Sequence, residues 1–223
     1  MIWTMVVKGG PIMIPILLGS VVGFALVLER TIAFLKVSSR DGQQCLTNVF
    51  QHLRHGRVEA ALSATRGVDH PVAAMLRRGL ESWALPAEAV ERAMEQAAQQ
   101  QVRALERGFG GLSSVITMEP MLGFLGTITG LIRAFMAWEA AGARVTVSQL
   151  AAGIYEAMIT TAAGLIIAIP LLMAYNAFVS RIKRLAGTLT DAAHELLDLH
   201  ARLHATGLIS HEAPGNARLS ARR

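Results

Sequence analysis

The sequence of 223 residues is 52% hydrophobic, 17% charged and 5% aromatic, with a formal net charge of +5. A soluble domain of this size usually has about 25% charged residues, so the composition favours a membrane protein. The single cysteine, Cys45, excludes an intramolecular disulfide framework and the common zinc patterns, and we expect it to be a small buried side chain.

The first apolar segment covers residues 11–28 and is long enough to span a bilayer. It follows a short stretch, residues 1–10, that ends in a turn at Gly9–Pro11. No small-residue cleavage site follows the apolar run, so the pattern predicts a retained transmembrane helix at 11–35 rather than a signal peptide. We expect residues 1–10 to be extracytoplasmic.

A polar, charged and helical region follows at residues 36–111, and it contains ten of the Lys and Arg residues. Turns are predicted at Arg40–Gly42, at His55-Gly56 and at Arg66–Pro71, with short helices between them. A longer helix is predicted from Pro86.

Apolar side chains recur along that longer helix at spacings of three or four residues, which predicts one apolar face. The stripe comprises Val90, Met94, Ala98, Val102, Leu105, Phe109, Leu112 and Ile116. Because the stripe continues into the next apolar segment, we expect one unbroken helix there, despite the glycine at Gly108.

The second apolar segment, residues 112–138, includes the polar residues Glu119, Thr127, Thr129 and Arg133. Charged side chains inside a membrane cost about 2.5–3.5 kcal/mol each on insertion scales and seldom face lipid. This segment is therefore predicted to be buried among other helices. The sequence assigns no role to Glu119 or Arg133.

The third apolar segment, residues 150–180, follows a short periplasmic loop at 139–149, and it has no charge from Ala157 to Tyr175. Glu156 stands at its start, where we expect it to load or release ions. The alternative is an interfacial carboxylate, either solvated or paired with Arg133 or Arg144.

Thr160 and Thr161 follow Glu156 by about one turn and point about 100° apart, so at most one of them lines a given pore. Thr161 has a plausible partner at the same depth, Thr127. Alternatively, both hydroxyls bond back to carbonyls of their own helix. No carboxylate is expected in the middle of any span, so if the chain conducts ions, a central titrating group must come from another chain.

Small residues and one proline are predicted to serve helix packing in all three spans. For Gly19 and Gly23 in the first span, an equal alternative to a packing face is that their spacing arose by chance in a glycine-rich helix. Proline inside the third span is either a kink or a packing wedge. The packing residues are Gly19, Gly23, Gly123, Gly126, Gly130, Gly164 and Pro170.

After the third span, the pattern predicts an amphipathic cytoplasmic helix at residues 181–207. A disordered tail is predicted at residues 208–223. Seven basic residues follow residue 180 and ten lie in the 36–111 region, on one side of a three-span topology. The positive-inside rule then predicts a periplasmic N-terminus and a cytoplasmic C-terminus. The charge is a topology signal, and no basic cluster with interleaved aromatics favours nucleic-acid binding.

Catalytic, metal and cofactor sites are not predicted. The pairs His52/His55 and His200/His204 have helical ligand spacing, but no carboxylate or cysteine completes either site, so we expect solvated histidines. No phosphate-binding loop or nucleophile motif is present, which makes an intramembrane enzyme the weakest interpretation.

Two stretches carry a family resemblance: residues 120–135, PMLGFLGTITGLIRAF, and residues 153–176, GIYEAMITTAAGLIIAIPLLMAYN. They resemble the two signature helices of the MotA/TolQ/ExbB proton-channel family, and the opening segment looks like the first helix of ExbB-like members. Glu119 and Arg133 depart from the family pattern, which often has alanine and a neutral polar residue or histidine there.

The resemblance implies an all-α membrane protein with three transmembrane helices and long helices that extend into a cytoplasmic helical region. It implies a pentamer around a dimer of a single-span ExbD- or TolR-like partner, whose aspartate accepts protons. Thr127 and Thr161 then match pore-lining threonines, and Glu156 matches a glutamate near the pore mouth. The implied function is an inner-membrane motor that uses the proton motive force to energise a TonB- or TolA-like protein. A non-conducting scaffold and a flagellar-type stator are the alternatives.

Overall fold

The computed structural model describes residues 7–37, 39–142 and 146–205, and all regular structure in these residues is helical. This confirms the all-α fold class. The helices are α1 (Met13–Lys36), α2 (Ser39–Arg54), α3 (Val58–Ala64), α4 (Pro71–Glu81), α5 (Ala87–Glu106), α6 (Phe109–Ala141) and α7 (Val147–Ala205).

Within the described ranges, three helical segments are long and apolar enough to cross a membrane, and they contain α1, α6 and the first part of α7. Their outward surfaces are apolar, with Ile14, Val21, Met121, Ile166 and Met173 all more than half exposed. In water such a surface would be unfavourable, but it suits contact with lipid or with other spans.

The chain divides into two compact units. Among the described residues, the membrane unit contains residues 7–36 and 105–183, and the polar unit contains residues 37–104 and 184–205. In the membrane unit, Ile16, Leu112 and Leu171 are almost fully buried. Phe34 of α1 stacks on Phe178 of α7, with ring centroids 5.2 Å apart.

The polar unit has its own hydrophobic core, built from α2, α3, α4, α5 and the end of α7. Its most buried large side chains include Leu53, Met75, Leu76, Met94 and Leu196. Cys45 is 2% exposed within this core, which confirms its prediction as a small buried side chain.

The unbroken helix predicted from residue 86 into the membrane is wrong. Helix α5 ends at Glu106, and α6 begins at Phe109 after Gly108, whose φ is +86°. A left-handed residue cannot continue a right-handed helix, and glycine adopts this conformation without a Cβ clash.

The turn predicted at Arg40–Gly42 is also wrong, because these residues are part of α2. Helix α6 continues to Ala141, and α7 includes both the third apolar segment and the amphipathic segment that follows it. The breaks predicted at His55-Gly56 and before Pro71 are present, and Gly56 has a φ of +71°.

Residues 1–6, 38, 143–145 and 206–223 lie outside the described residues. The predictions for most of the extracytoplasmic N-terminus, for Arg144 and for the tail at 208–223 concern these residues and stay predictions.

Candidate functional site

A pair of threonines joins α6 to α7 inside the membrane unit. The hydroxyls of Thr127 and Thr161 form a hydrogen bond with each other. Each hydroxyl also lies 3.1–3.3 Å from the carbonyl oxygens of Gly123 and Ala157. Two hydroxyl protons thus share four acceptor oxygens, and the direction of the threonine–threonine bond can reverse by rotation of the hydroxyls.

This contact depends on how closely α6 and α7 approach each other. A Cβ at Gly123 would lie 3.0 Å from the Thr160 carbonyl oxygen, and one at Gly130 would lie 2.7 Å from that of Gly153. A Cβ at Gly164 would lie 2.5 Å from the carbonyl oxygen of Glu119. Glycine at these positions lets the two backbones touch, as in small-residue membrane interfaces.

Thr160 is separated from the threonine pair. It is fully buried, and its side chain fills the space left by Gly126. Its hydroxyl donates to the carbonyl oxygens of Glu156 and Ala157 on its own helix, both at 3.0 Å. Both side chains contact α6, but of the two hydroxyls only that of Thr161 forms hydrogen bonds to it.

Glu156 forms an ion pair with Arg133, with guanidinium-to-carboxylate distances of 2.6 and 2.8 Å. The Glu156 side chain is 9% exposed and that of Arg133 is 48% exposed. A side chain at Gly10, before α1, would overlap the Glu156 carboxylate. The carboxylate is thus covered by the turn before α1 and is neutralised by an arginine from α6.

A cavity of about 510 Å³ lies beside this ion pair. Lys8, Arg133, Tyr155 and Glu156 contribute to its wall, and the Lys8 ammonium group lies 5.8 Å from the centroid of the Tyr155 ring. The two cations and one carboxylate of this lining leave the cavity wall with a small net positive charge.

The remaining predicted packing residues contact other parts of the membrane unit. A Cβ at Gly23 would lie 2.5 Å from Leu171 Cδ1 of α7, and one at Gly19 would overlap Glu119 Oε1 of α6. Pro170 lies within α7, where the helix continues on both sides.

Glu119 contradicts the expectation that no carboxylate occupies the middle of a span. It is 1% exposed, and its side chain packs against Gly19 within the membrane unit. A glutamate within an apolar helix was the available signal, but only the docking of α1 on α6 reveals that the side chain is buried.

The histidines of the described residues lie in the polar unit. The described residues contain no group of three His, Cys, Asp or Glu side chains placed to hold a metal ion. His200 corrects the expectation of a solvated histidine, because it is 4% exposed and its Nε2 lies 3.0 Å from the Trp83 carbonyl oxygen. Burial lowers the pKa of His200, although the hydrogen bond to Trp83 raises it.

Comparison with known protein families identifies the family of this chain. Residues 68–191 match the model of the MotA/TolQ/ExbB proton channel family, which is more than half of the chain. The chain belongs to this family. The match includes both threonines, Glu156, Arg133 and Glu119. Together with the three apolar helices, membership makes the chain a multi-pass protein of the inner membrane.

Relatives extend the similarity beyond the matched region. The chain is 30% identical over 215 residues to the biopolymer transport protein ExbB of Neisseria meningitidis, covering 88% of this chain and 94% of the relative. It is 32% identical over 188 residues to an ExbB-like protein of Synechocystis, covering 78% and 68%. A shorter stretch of 91 residues is 41% identical to the Tol-Pal system protein TolQ of Haemophilus influenzae, covering 41% and 40%.

Proposed function

We propose that this chain is the channel-forming subunit of an inner-membrane motor of the ExbB–ExbD or TolQ–TolR type. Protons moving down their electrochemical gradient would drive movement of a partner's helices, and a TonB- or TolA-like protein would carry that work to the outer membrane. The relatives are named as transport and Tol-Pal system proteins, which supports this class over an enzyme.

The observation that carries the proposal is the hydroxyl pair of Thr127 and Thr161. Both side chains are partly exposed, although they lie within an apolar helical unit. A reversible hydrogen bond that also reaches the Gly123 and Ala157 carbonyls offers a proton both a donor and an acceptor along the α6–α7 wall. In this proposal the two threonines line one wall of the path and Glu156 stands at its mouth.

The hydroxyls cannot hold a net proton as a carboxylate can, so the titrating group of the path must be an acid. The partner would supply it as an aspartate on its single span. Each elementary charge crossing 100 mV releases about 2.3 kcal/mol, so a few protons suffice for a mechanical step. A pentamer of this chain around two partner helices would place copies of the threonine pair around that acid.

The topology follows from the distribution of charge. Ten basic residues lie between residues 36 and 111 and seven follow residue 180, whereas Lys8 and Arg144 belong to the opposite side of a three-span topology. The polar unit would therefore be cytoplasmic, and the Glu156 mouth would face the periplasm.

Proton flux in liposomes tests the proposal. The chain and its co-purified single-span partner are reconstituted together, and a proton gradient is followed with a pH-sensitive dye. Flux is expected from the complex and is expected to be lost when the partner's intramembrane aspartate is replaced by asparagine. An intact complex that carries no flux under any gradient would contradict the channel and leave the non-conducting scaffold.

A further inference from the structure

Glu119 is an intramembrane acid that the threonine path does not use. Its side chain is 1% exposed, and its Oε2 atom is buried with no hydrogen-bond partner among the described residues. Burial of a lone ionised carboxylate in apolar surroundings is strongly unfavourable, whereas a neutral carboxylic acid is tolerated there.

The helices around Glu119 leave room for its carboxyl group. Its side chain occupies the volume that a Cβ at Gly19 of α1 would need, and its backbone oxygen faces Gly164 of α7. Two glycines from two neighbouring helices therefore make room for this one residue of α6.

The depth of the site follows from helix geometry. Glu156 precedes Gly164 by eight residues, or about 12 Å along α7. In the other direction, Arg30 follows Gly19 by eleven residues, or about 16 Å along α1. These distances together approach the thickness of a bilayer core, about 30 Å, so Glu119 lies near its middle.

The charged groups on the three contacting helices are distant along the chain. On α6 the nearest charged residue is Arg133, fourteen residues after Glu119. Arg107, which lies just before α6, precedes Glu119 by twelve residues. On α1 the nearest to Gly19 is Glu29, and on α7 the nearest to Gly164 is Glu156, which Arg133 already neutralises. None of these is placed to compensate an ionised Glu119.

We propose that Glu119 and Gly19 form a proton-binding site that couples proton occupancy to the packing of α1 on α6. With its proton, Glu119 is neutral and fits against Gly19. Without the proton, the carboxylate must reach water or a cation, and it leaves the contact. The site is distinct from the threonine pair, and it does not depend on whether the chain conducts.

Infrared spectroscopy of the complex in lipid tests whether Glu119 holds a proton. The difference spectrum between the unmodified complex and Glu119→Gln is expected to contain the carbonyl band of a protonated carboxylic acid, sensitive to D₂O and lost as the pH is raised. Glu119→Asp should shift this band and supplies the assignment if the glutamine variant fails to assemble. A difference spectrum without a protonated-acid band at any pH, in assembled variants, would overturn the proposal.

Stability against pH tests the coupling to helix packing. The unmodified complex is expected to lose thermal stability as the pH rises through the range in which the band disappears, and Glu119→Gln is expected to lose this dependence. Gly19→Ala should weaken the complex at all pH values, whereas Gly110→Ala is the control, because a Cβ at Gly110 meets no atom within 4 Å. Identical pH profiles for the unmodified complex and Glu119→Gln would refute the coupling.

Discussion

At the scale of single residues, the membrane unit assigns different tasks to side chains that look alike in sequence. Thr160 and Thr161 are neighbours, yet one hydroxyl stays on its own helix and the other joins a cross-helix pair. Glu156 and Glu119 are both buried carboxyl residues, yet only Glu156 has a cation beside it. The surroundings, rather than the residue type, determine which groups can take part in proton movement.

The ion pair of Arg133 and Glu156 gives a prediction at this scale. Arg133→Gln leaves a buried carboxylate without its partner, so we expect a loss of about 1–3 kcal/mol in the free energy of unfolding. The double variant Arg133→Gln with Glu156→Gln removes both charges and should recover most of that loss. Denaturant unfolding of the detergent-solubilised complex measures both effects, and a double variant as weak as the single one would contradict the assignment.

The sequence was sufficient for part of the site and insufficient for the rest. Thr127 and Thr161 could be paired in advance, because helical spacing places both at a similar depth. The choice between Arg133 and Arg144 as the partner of Glu156 could not be made, because both precede it within a short length of chain. The position of Glu119 depends on which face of α1 docks on α6, and a nearly uniform apolar segment does not specify that face.

At the scale of elements, glycines determine how closely α6 and α7 approach each other. Backbone atoms of α7 lie opposite Gly130, where an added Cβ would be 2.7 Å from the Gly153 oxygen and 2.8 Å from the Ala157 nitrogen. Because backbone cannot move aside as a flexible side chain can, this contact excludes any larger residue.

Gly130→Ala is therefore expected to cost about 1–3 kcal/mol through overpacking. Gly110→Ala, on the same helix with open space around it, should be neutral or stabilise by about 0.5–1 kcal/mol, since alanine favours the helix. The comparison is made by thermal unfolding of the two variants side by side. Equal effects at the two positions would show that the close approach does not contribute to stability.

Helix α4 provides a pH-dependent element in the polar unit. His70 precedes it, and the backbone N–H of Val72 donates to His70 Nδ1 at 3.2 Å. Burial lowers the pKa of His70, while Asp41 and Asp69 oppose the shift. The folded chain thus binds a proton at this histidine less readily than the unfolded chain does.

His70 thus caps the N-terminus of α4 through this hydrogen bond. The contribution of the cap to the free energy of unfolding is present above the ordinary histidine pKa of about 6.5 and declines as the pH falls below it. His70→Asn keeps a capping oxygen and removes the titration, so its unfolding temperature should fall less on acidification than that of the unmodified chain. Burial also lowers the pKa of His200, so part of the loss of stability on acidification should remain in His70→Asn. An unchanged pH profile in His70→Asn would contradict the cap's contribution.

The element boundaries show where local sequence signals failed. The left-handed break at Gly108 was hidden by an apolar stripe that continues in register on both sides of it. Arg40–Gly42 looked like a turn, but α2 has a strongly apolar face that buries Cys45, Val49 and Leu53, and this tertiary packing overrides the local preference. The turns at Gly56 and before Pro71 were predictable because no apolar stripe crosses them.

At the scale of the whole molecule, the chain combines a three-helix membrane unit with a polar helical unit that has its own core. The fold class and the three spans followed directly from composition and apolar run lengths, because the bilayer imposes a fixed length on each helix. The number of copies and the identity of the partner depend on surfaces that face other chains, and a single sequence does not determine those.

The central claim is that the Thr127–Thr161 hydroxyl pair lines the proton path, and a matched pair of isosteric variants tests it most directly. Proton flux is measured in liposomes that contain the complete complex with Thr161→Val or with Thr160→Val. Thr161→Val removes a cross-helix hydroxyl, so flux should fall at least about tenfold, which corresponds to about 1.4 kcal/mol in the barrier. Thr160→Val removes a hydroxyl that bonds only to carbonyls of its own helix, so flux should stay near that of the unmodified complex. Unchanged flux in an assembled Thr161→Val complex, or an equal loss in both variants, would contradict the account.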